Sequence, residues 1–528
     1  MIKKWLKKLV GNTENGSQSS PKKLINGTHF NGSINQIQLR IREIFGNSTD
    51  LVIEAIHLGG KDGLVCYLRT LTDWDVVTTK ILHPIREANL AEKEILSEED
   101  WLIMGKSVFS GTQHQFIHEE KEIIEAIING QAVIFTDKMK PVLAMQIVKV
   151  EQRGIEEPTT QTIVRGPKEG FNENVETNLS LMRKKIKNPA LRFEEFTIGT
   201  DTSTKVYLGY MDGIINKGIL NEIQTRLKAV KTNAILESGT LEEFITDKTF
   251  TPFPLLYNTE RPDTIAAHLL EGKFAIFVDG SPFVLSAPSV FGDFLSVSED
   301  HYQPFSMGSF VRLIRYFSFL ITMFLPAFFI ALITYHHELI PTALIISIIS
   351  QREGIPFPAV IELLIMEITF EILREAGVRM PRAVGGTISI VGGLVIGQAA
   401  VEAGIVSNIM VIVVALTAIA SFVTPIYTFA IASRLLRFVF ILLASVFGLY
   451  GVFLGMIMMV GHLASLRSFS VPYLAPFAPF KLQDHKDTII RLPGFAMKQR
   501  PSFLETETPA KQPMSNSPSP SEKGEDGI

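Results

Sequence analysis

From Phe438 to Leu466 the chain runs for 29 residues without an Asp, Glu, Lys or Arg. Three more such runs, 316–335, 383–401 and 403–433, share this half of the sequence. Each is close to or beyond the ~20 apolar residues that cross roughly 30 Å of hydrocarbon. A fifth, 339–351, is shorter and suits either a tilted span or a re-entrant piece. Residues 301–480 hold nine Arg and seven Glu but no Lys and no Asp, whereas 41 Lys+Arg and 47 Asp+Glu crowd the remainder. The pattern is a soluble domain joined to a membrane domain. At net charge -4 nothing points to nucleic acid as a partner.

Arginines orient the membrane half. Arg312 and Arg315 precede the first run, Arg379 and Arg382 the run at 383, and Arg434 and Arg437 separate the last two. Placing all of them on the cytoplasmic side makes the short segment cross and leaves the large N-terminal domain cytoplasmic. The basic sequence after residue 467 lets the last run turn back as a hairpin around Gly448, Gly451 and Gly455, so five or six spans are expected. At the other end, MIKKWLKKLV places Ile2, Trp5, Leu6 and Leu9 on one helical face and four lysines on the other. It suits a helix on an anionic membrane surface or a solvated terminus.

Residues 1–35 read as this basic terminus and a Gly/Asn/Ser-rich linker. From 36 onward, β-branched runs alternate with helical patterns, the sign of an α/β domain. IIEAIINGQAVIFTDKMKPVL (123–143) aligns without gaps to IAAHLLEGKFAIFVDGSPFVL (265–285). A weaker echo pairs 51–60 with 191–200. Two related subdomains, 36–160 and 161–300, are therefore expected, then a transmembrane domain at 305–470 and a C-terminal segment at 471–528, disordered from about 503. The fold class is α/β followed by all-α polytopic membrane structure. Cys66, the single cysteine, sits in a strand-like run and reads as a small core hydrophobe.

Charge inside the apolar half is concentrated in LLIMEITFEILREAGVRMP (363–381). Over 359–376, Glu367, Glu371, Arg374 and Glu375 share one helical face, and Glu362 stands on the apolar face, where it needs a partner, a cavity or a raised pKa. The expectation is an interfacial helix with its acidic face toward water or the soluble domain, coupling that domain to the membrane. The next span is glycine-rich. Gly393 and Gly397 form a GxxxG, extended by Ala400 and Gly404, that permits close helix approach. Thr387, Gln398 and Glu402 line an adjoining polar face, which local packing or a water-lined path would each explain.

No CxxC, HExxH, GxSxG or Walker-type loop occurs, so no enzyme, cofactor or metal is implied. RGPKEGF (165–171) lacks the spacing of a phosphate loop. Arg165, Gly166, Pro167 and Glu169 read as a turn at the subdomain junction, with Arg165 and Glu169 as candidate interface charges. His336, His337 and Glu338 could hold a metal but more simply cap a span, and His462 reads as an interfacial side chain.

The run REGIPFPAVIELLIMEITFEILREAGVRMPRAVGGTISIVGGLVIGQAAVEAGIVS resembles the hallmark of the A subunit of GerA-type nutrient germination receptors of spore-forming bacteria. IVRGPKEGFNENVETNLSLMRKKIKNPAL, YLGYMDGI and SFSVPYLAPFAP are similar to that family as well, and the likeness covers roughly 36–500. It implies a spore inner-membrane protein acting with a transporter-like B subunit and a lipoprotein C subunit, its copies oligomerising into a ligand-gated ion channel. A secondary transporter is the second class, although the internal repeat lies in the soluble half rather than among the spans. A membrane-tethered scaffold is the third.

Overall fold

Gly130 and Gly272 hold left-handed backbone, φ 82° and 100°, a conformation that costs glycine no Cβ clash. Each ends a helix and turns the chain into a buried strand. The protein was analysed as a computed structural model, which describes residues 32–90, 95–147, 157–158, 160–379, 393 and 395–511.

The first subdomain comprises helices α1 (Ile34–Phe45), α2 (His83–Leu90), α3 (Glu98–Val108) and α4 (Glu120–Ile128). Its strands are β1 (Leu51–Leu58), β2 (Lys61–Leu68), β3 (His114–Ile117), β4 (Gln131–Thr136) and β5 (Val142–Gln146). The second has α5 (Val175–Lys185), α6 (Lys217–Ala229), α7 (Ser238–Ile245) and α8 (Pro262–Glu271). Its strands are β6 (Leu191–Ile198), β7 (Thr204–Met211), β8 (Tyr257–Thr259), β9 (Phe274–Val278) and β10 (Val284–Ala287). The sheet orders, β1-β2-β4-β5-β3 and β6-β7-β9-β10-β8, are the same topology. The repeat holds at the level of single pairs: Ile134 faces Leu143 across β4–β5, and Ile276 faces Leu285 across β9–β10. All the pairings are antiparallel, so the strand–helix alternation builds layered α/β units without parallel crossovers. Cys66 is fully buried on β2, as a core hydrophobe.

The subdomains meet around Arg183 of α5. Its guanidinium donates to both carboxylate oxygens of Asp50, at 2.8 and 2.9 Å, and to Ser48 Oγ at 3.1 Å. The Thr49 amide donates to the Phe193 carbonyl beside it at 2.9 Å. Burial alone would raise the Asp50 pKa, but the Arg183 charge and hydrogen bonds hold it below the ordinary carboxylate value. The RGPKEGF loop reaches Glu157 through an exposed Lys168 pair at 3.4 Å but stands apart from the buried junction. Glu169 pairs with Lys185 of its own subdomain at 2.6 Å, the Arg165 amide reaches Glu299, and the Pro167 carbonyl accepts from Arg261. The correction is physical: a junction buried on both sides requires a charge with a buried partner, and Arg183 has one.

The apolar half follows as α9 (Phe305–Thr334), α10 (Thr342–Arg352), α11 (Ala359–Arg379), a helical stretch at 395–402, α12 (Asn408–Phe422) and α13 (Tyr427–Ser465). Of these, α9 and α13 are long and apolar enough to cross a membrane. The 403–433 run is not one helix. Gly404, at φ 66°, breaks it on one side, and Pro425, which disfavours helix in the residue before it, breaks it on the other. Within α13, Gly448 adopts φ 62° and ψ -144°, and the chain doubles back there. A Cβ on Gly455 would lie 2.6 Å from Leu443 Cδ1 and 2.9 Å from Phe440 Cε1, residues that a straight helix would leave far behind. The expected hairpin around Gly448, Gly451 and Gly455 is therefore present.

Both limbs of the hairpin return to the second subdomain. Phe429, at the base of the outgoing limb, stacks between Phe294 (5.3 Å, 11°) and Phe319 of α9 (5.1 Å, 20°). Past the returning limb, Ser468 Oγ donates to the Leu255 carbonyl at 2.7 Å. The expected disorder from 503 starts too early, because apolar burial and ion pairing anchor the segment further along. Leu504 is fully buried, and Lys511 pairs with Glu271 at 3.0 Å. The readings made on the amphipathic N-terminus, the linker up to residue 31 and the tail beyond 511 lie outside the described residues.

Candidate functional site

α11 begins after Pro356 and Pro358, and its charges find partners one by one. Glu362, fully buried near the start, accepts from the Ser407 amide and Oγ, each at 3.1 Å, and pairs with Arg352 at 3.0 Å. It thus ties the end of α10 to the start of α11 and to the N-cap of α12. One turn on, Glu367 is also fully buried and lies 3.0 Å from Arg437 of α13. Glu371 pairs with Arg434 and stands 3.7 Å from Arg437. The Arg374 guanidinium donates to Ser421 Oγ and lies over the rings of Phe422 (4.7 Å) and Phe370 (5.1 Å). Only Glu375 faces outward, in a 2.6 Å pair with the exposed Arg379.

The expectation of an acidic face turned to water is corrected here for Glu367. The face meets α13, because Arg434 and Arg437 supply countercharge at the depth where the carboxylates lie. Arg437 is eight residues beyond Phe429, or about 12 Å further along the limb. The clue was in the sequence: carboxylates four apart on one helix and arginines three apart on another are each single-face spacings. Charges buried this fully among apolar helices are costly unless paired.

The polar face of the next segment is visible in part. Gln398 Nε2 donates to Glu402 Oε1 at 2.9 Å, and both side chains are exposed. Thr387 lies outside the described residues. On the small-residue face, a Cβ added at Gly393 would meet none of the described residues within 4 Å, and one at the buried Gly397 would meet Val411 alone among them, at 3.6 Å. Ala400 packs partly against the apolar core, and Gly404 makes the left-handed turn that leads to Ser407.

The remaining candidates are structural. Tyr335 and His336 pack under Gly448, where the Tyr335 hydroxyl donates to the Ser445 carbonyl at 2.8 Å. No group of three metal-ligating side chains is found among the described residues, the His336–Glu338 trio included. His462 Nε2 meets Thr251 Oγ1 at 3.0 Å, a partner for the interfacial histidine. Among the buried groups that escaped sequence reasoning are Asp50 with Arg183, Asp300, which pairs with Arg312 (3.1 Å) and Arg315 (2.7 Å) at the base of α9, and Lys273 with Asp293 (2.6 Å).

Comparison with known proteins covers most of the chain. Residues 39–503 match the family model described as Bacillus/Clostridium GerA spore germination protein. The chain is 45% identical over 482 residues to spore germination protein KA of Bacillus subtilis, spanning 90% of this chain and 87% of that one. It is 40% identical over 486 residues to spore germination protein GerLA of Bacillus cereus, spanning 91% and 98%. A solved structure, the N-terminal domain of the A subunit of the Bacillus megaterium spore germinant receptor GerK3, matches at 31% identity and TM-score 0.41. It covers 51% of this chain and 99% of its own.

Proposed function

Since this chain belongs to the GerA spore germination protein family, we propose that it is the A subunit of a nutrient germinant receptor and that several copies enclose a gated path for monovalent cations. The observation that carries the second part is the outward-facing Gln398–Glu402 pair on a helix within the apolar half. Facing lipid, an exposed amide and carboxylate are penalised. Facing the same residues of neighbouring copies, they line water, and a ring of Glu402 carboxylates favours cations. On this reading the soluble domain is cytoplasmic, the protein crosses the spore inner membrane several times, and a transporter-like B subunit and a lipoprotein C subunit complete the receptor. α11 couples the halves, since its ion pairs reach the hairpin limb clamped at Phe429 and its Glu362 reaches the turn after Glu402.

Ion flux through reconstituted receptor is the test. Glu402→Gln should leave assembly intact and weaken nutrient-triggered cation release, and Glu402→Lys should weaken it further. Unchanged cation selectivity in both variants would remove the polar face from the path. Saturable, coupled flux would favour a transporter, and no flux a scaffold.

A further inference from the structure

The C-terminal segment is pinned at the point where α9 enters its charge-free run. Asp487 pairs with Arg312 at 3.0 Å, and the Thr488 carbonyl accepts from the Tyr316 hydroxyl at 3.4 Å. The Arg491 amide donates to Ser309 Oγ at 3.0 Å, while its guanidinium holds the carbonyls of Asp300 and Gln303 at 2.6 and 2.7 Å. Residues 487–491 therefore run beside the two turns of α9 that precede the apolar run. The C-terminal segment exposes Phe480 (70%), whose ring lies 4.8 Å from that of His485, Leu482 (57%) and Ile490 (53%), the neighbour of Arg491, and α9 exposes Phe310 and Phe317 (62% and 61%) along the pinned turns. Lys481 and Lys486 are interleaved with them.

Several large apolar side chains exposed in one pinned segment are unfavourable in water. At a bilayer boundary the same side chains are favoured, with lysines reaching anionic headgroups. We propose that residues 480–490 form a foot lying in the membrane plane on the soluble-domain side. Phe480, Leu482 and Ile490 enter the boundary between headgroups and acyl chains, and Lys481 and Lys486 meet lipid phosphates. Lipid is the occupant because the apolar exposure continues that of α9, which on the reading above faces the bilayer; the proposal rests on that reading. The foot is joined to the soluble domain through Asp300 and to α9 through Arg312, so it sets the height at which the domain rides over the membrane.

The test uses the full chain in nanodiscs of phosphatidylglycerol or phosphatidylcholine, with cysteines placed singly and labelled with an environment-sensitive fluorophore. Cys66 is fully buried and leaves the background unlabelled. Phe480→Cys and Ile490→Cys labels should emit blue-shifted and be quenched by lipids spin-labelled near the headgroup. A Leu39→Cys label, on the exposed face of α1, should be quenched only from water. Combining Lys481→Glu with Lys486→Glu should reduce the blue shift at residue 480 in phosphatidylglycerol and leave it unchanged in phosphatidylcholine. Labels at 480 and 490 that behave like the one at 39, while a Phe317→Cys label reports lipid, would overturn the foot and spare the span. A label at 317 that also reports water would overturn both. Protection at 480 that appears only when partner subunits are added would assign the surface to protein instead.

Discussion

Arg437 and Glu367 are both fully buried, 3.0 Å apart, and join two helices from different parts of the membrane half. Glu367 belongs to α11, whose other end is fixed by Glu362 at Ser407. Arg437 belongs to the hairpin limb whose base is stacked on Phe294 of the soluble domain. Packed rings and ion pairs thus link Phe294 of the soluble domain to α11 and the turn after Glu402, the link through which coupling is proposed to run.

Removing one member of this pair strands the other. Arg437→Ala should destabilise the full chain in detergent by about 3–5 kcal/mol, because Glu367 is left buried without countercharge. Arg437→Met combined with Glu367→Leu should recover most of that loss, since no charge then remains to be desolvated. Thermal unfolding measures both. A double variant whose loss equals the two single losses added together would show that the residues do not interact.

Asp50 gives the soluble half a pH dependence with a definite sign. Its folded pKa lies below the ordinary value because Arg183 binds the carboxylate form. The stability it contributes is complete above the unfolded pKa of about 4 and is lost as pH falls through the lower folded value. Asp50→Asn should flatten the acid limb of the stability profile below about pH 4. At neutral pH it should already cost about 3–5 kcal/mol, through the Arg183 charge it leaves buried. Acid unfolding of both proteins, followed by circular dichroism, decides it. Parallel acid limbs would show that other carboxylates set the profile.

These two pairs show what the sequence makes legible. The subdomain repeat was readable because strand and helix periodicities are local, and Ile134/Leu143 and Ile276/Leu285 recur at fixed spacing. The hairpin was readable from Gly448 and the basic sequence beyond it. Arg434 and Arg437 read equally well as orienting charges at a membrane boundary. Only the packing of α11 against α13 turns them inward: the spacings show one charged face on each helix, but nothing local shows that the two faces meet across 63 and 70 positions. Asp50 and Arg183 were hidden for the same reason, and the Gly-Pro turn at 166–167 drew attention to the wrong charges.

Gly448 is a direct check on chain reversal. An added methyl would sit 2.9 Å from Tyr335 Cβ and from His336 Cε1, on backbone that side chains other than glycine rarely adopt. Gly448→Ala should therefore cost more than the ~1–2 kcal/mol of left-handed backbone alone and loosen the limb that returns to Leu466. In the parent protein, reagents confined to the soluble-domain side should reach a cysteine at Arg467. Labelling at 467 from the opposite side only would contradict a hairpin.

The small-residue face supplies the sharpest separation of folding from assembly. Gly393 is exposed and the described residues around it leave open space, whereas Gly397 is buried against Val411 of the same chain, so one chain alone does not explain the glycine at 393. Close approach of a helix from another copy or from a partner subunit does, because such packing tolerates only small residues. Gly393→Leu should thus leave the thermal stability of the isolated chain within ~0.5 kcal/mol, as surface substitutions do, whereas Gly397→Leu, at a buried position against Val411, should also destabilise the single chain by about 1–3 kcal/mol. The same variants should abolish cross-linked oligomers in the membrane and block cation release from spores. Spores that carry either variant, form the oligomer and answer nutrients normally would show that this face meets lipid, and the contact between copies would then have to lie elsewhere.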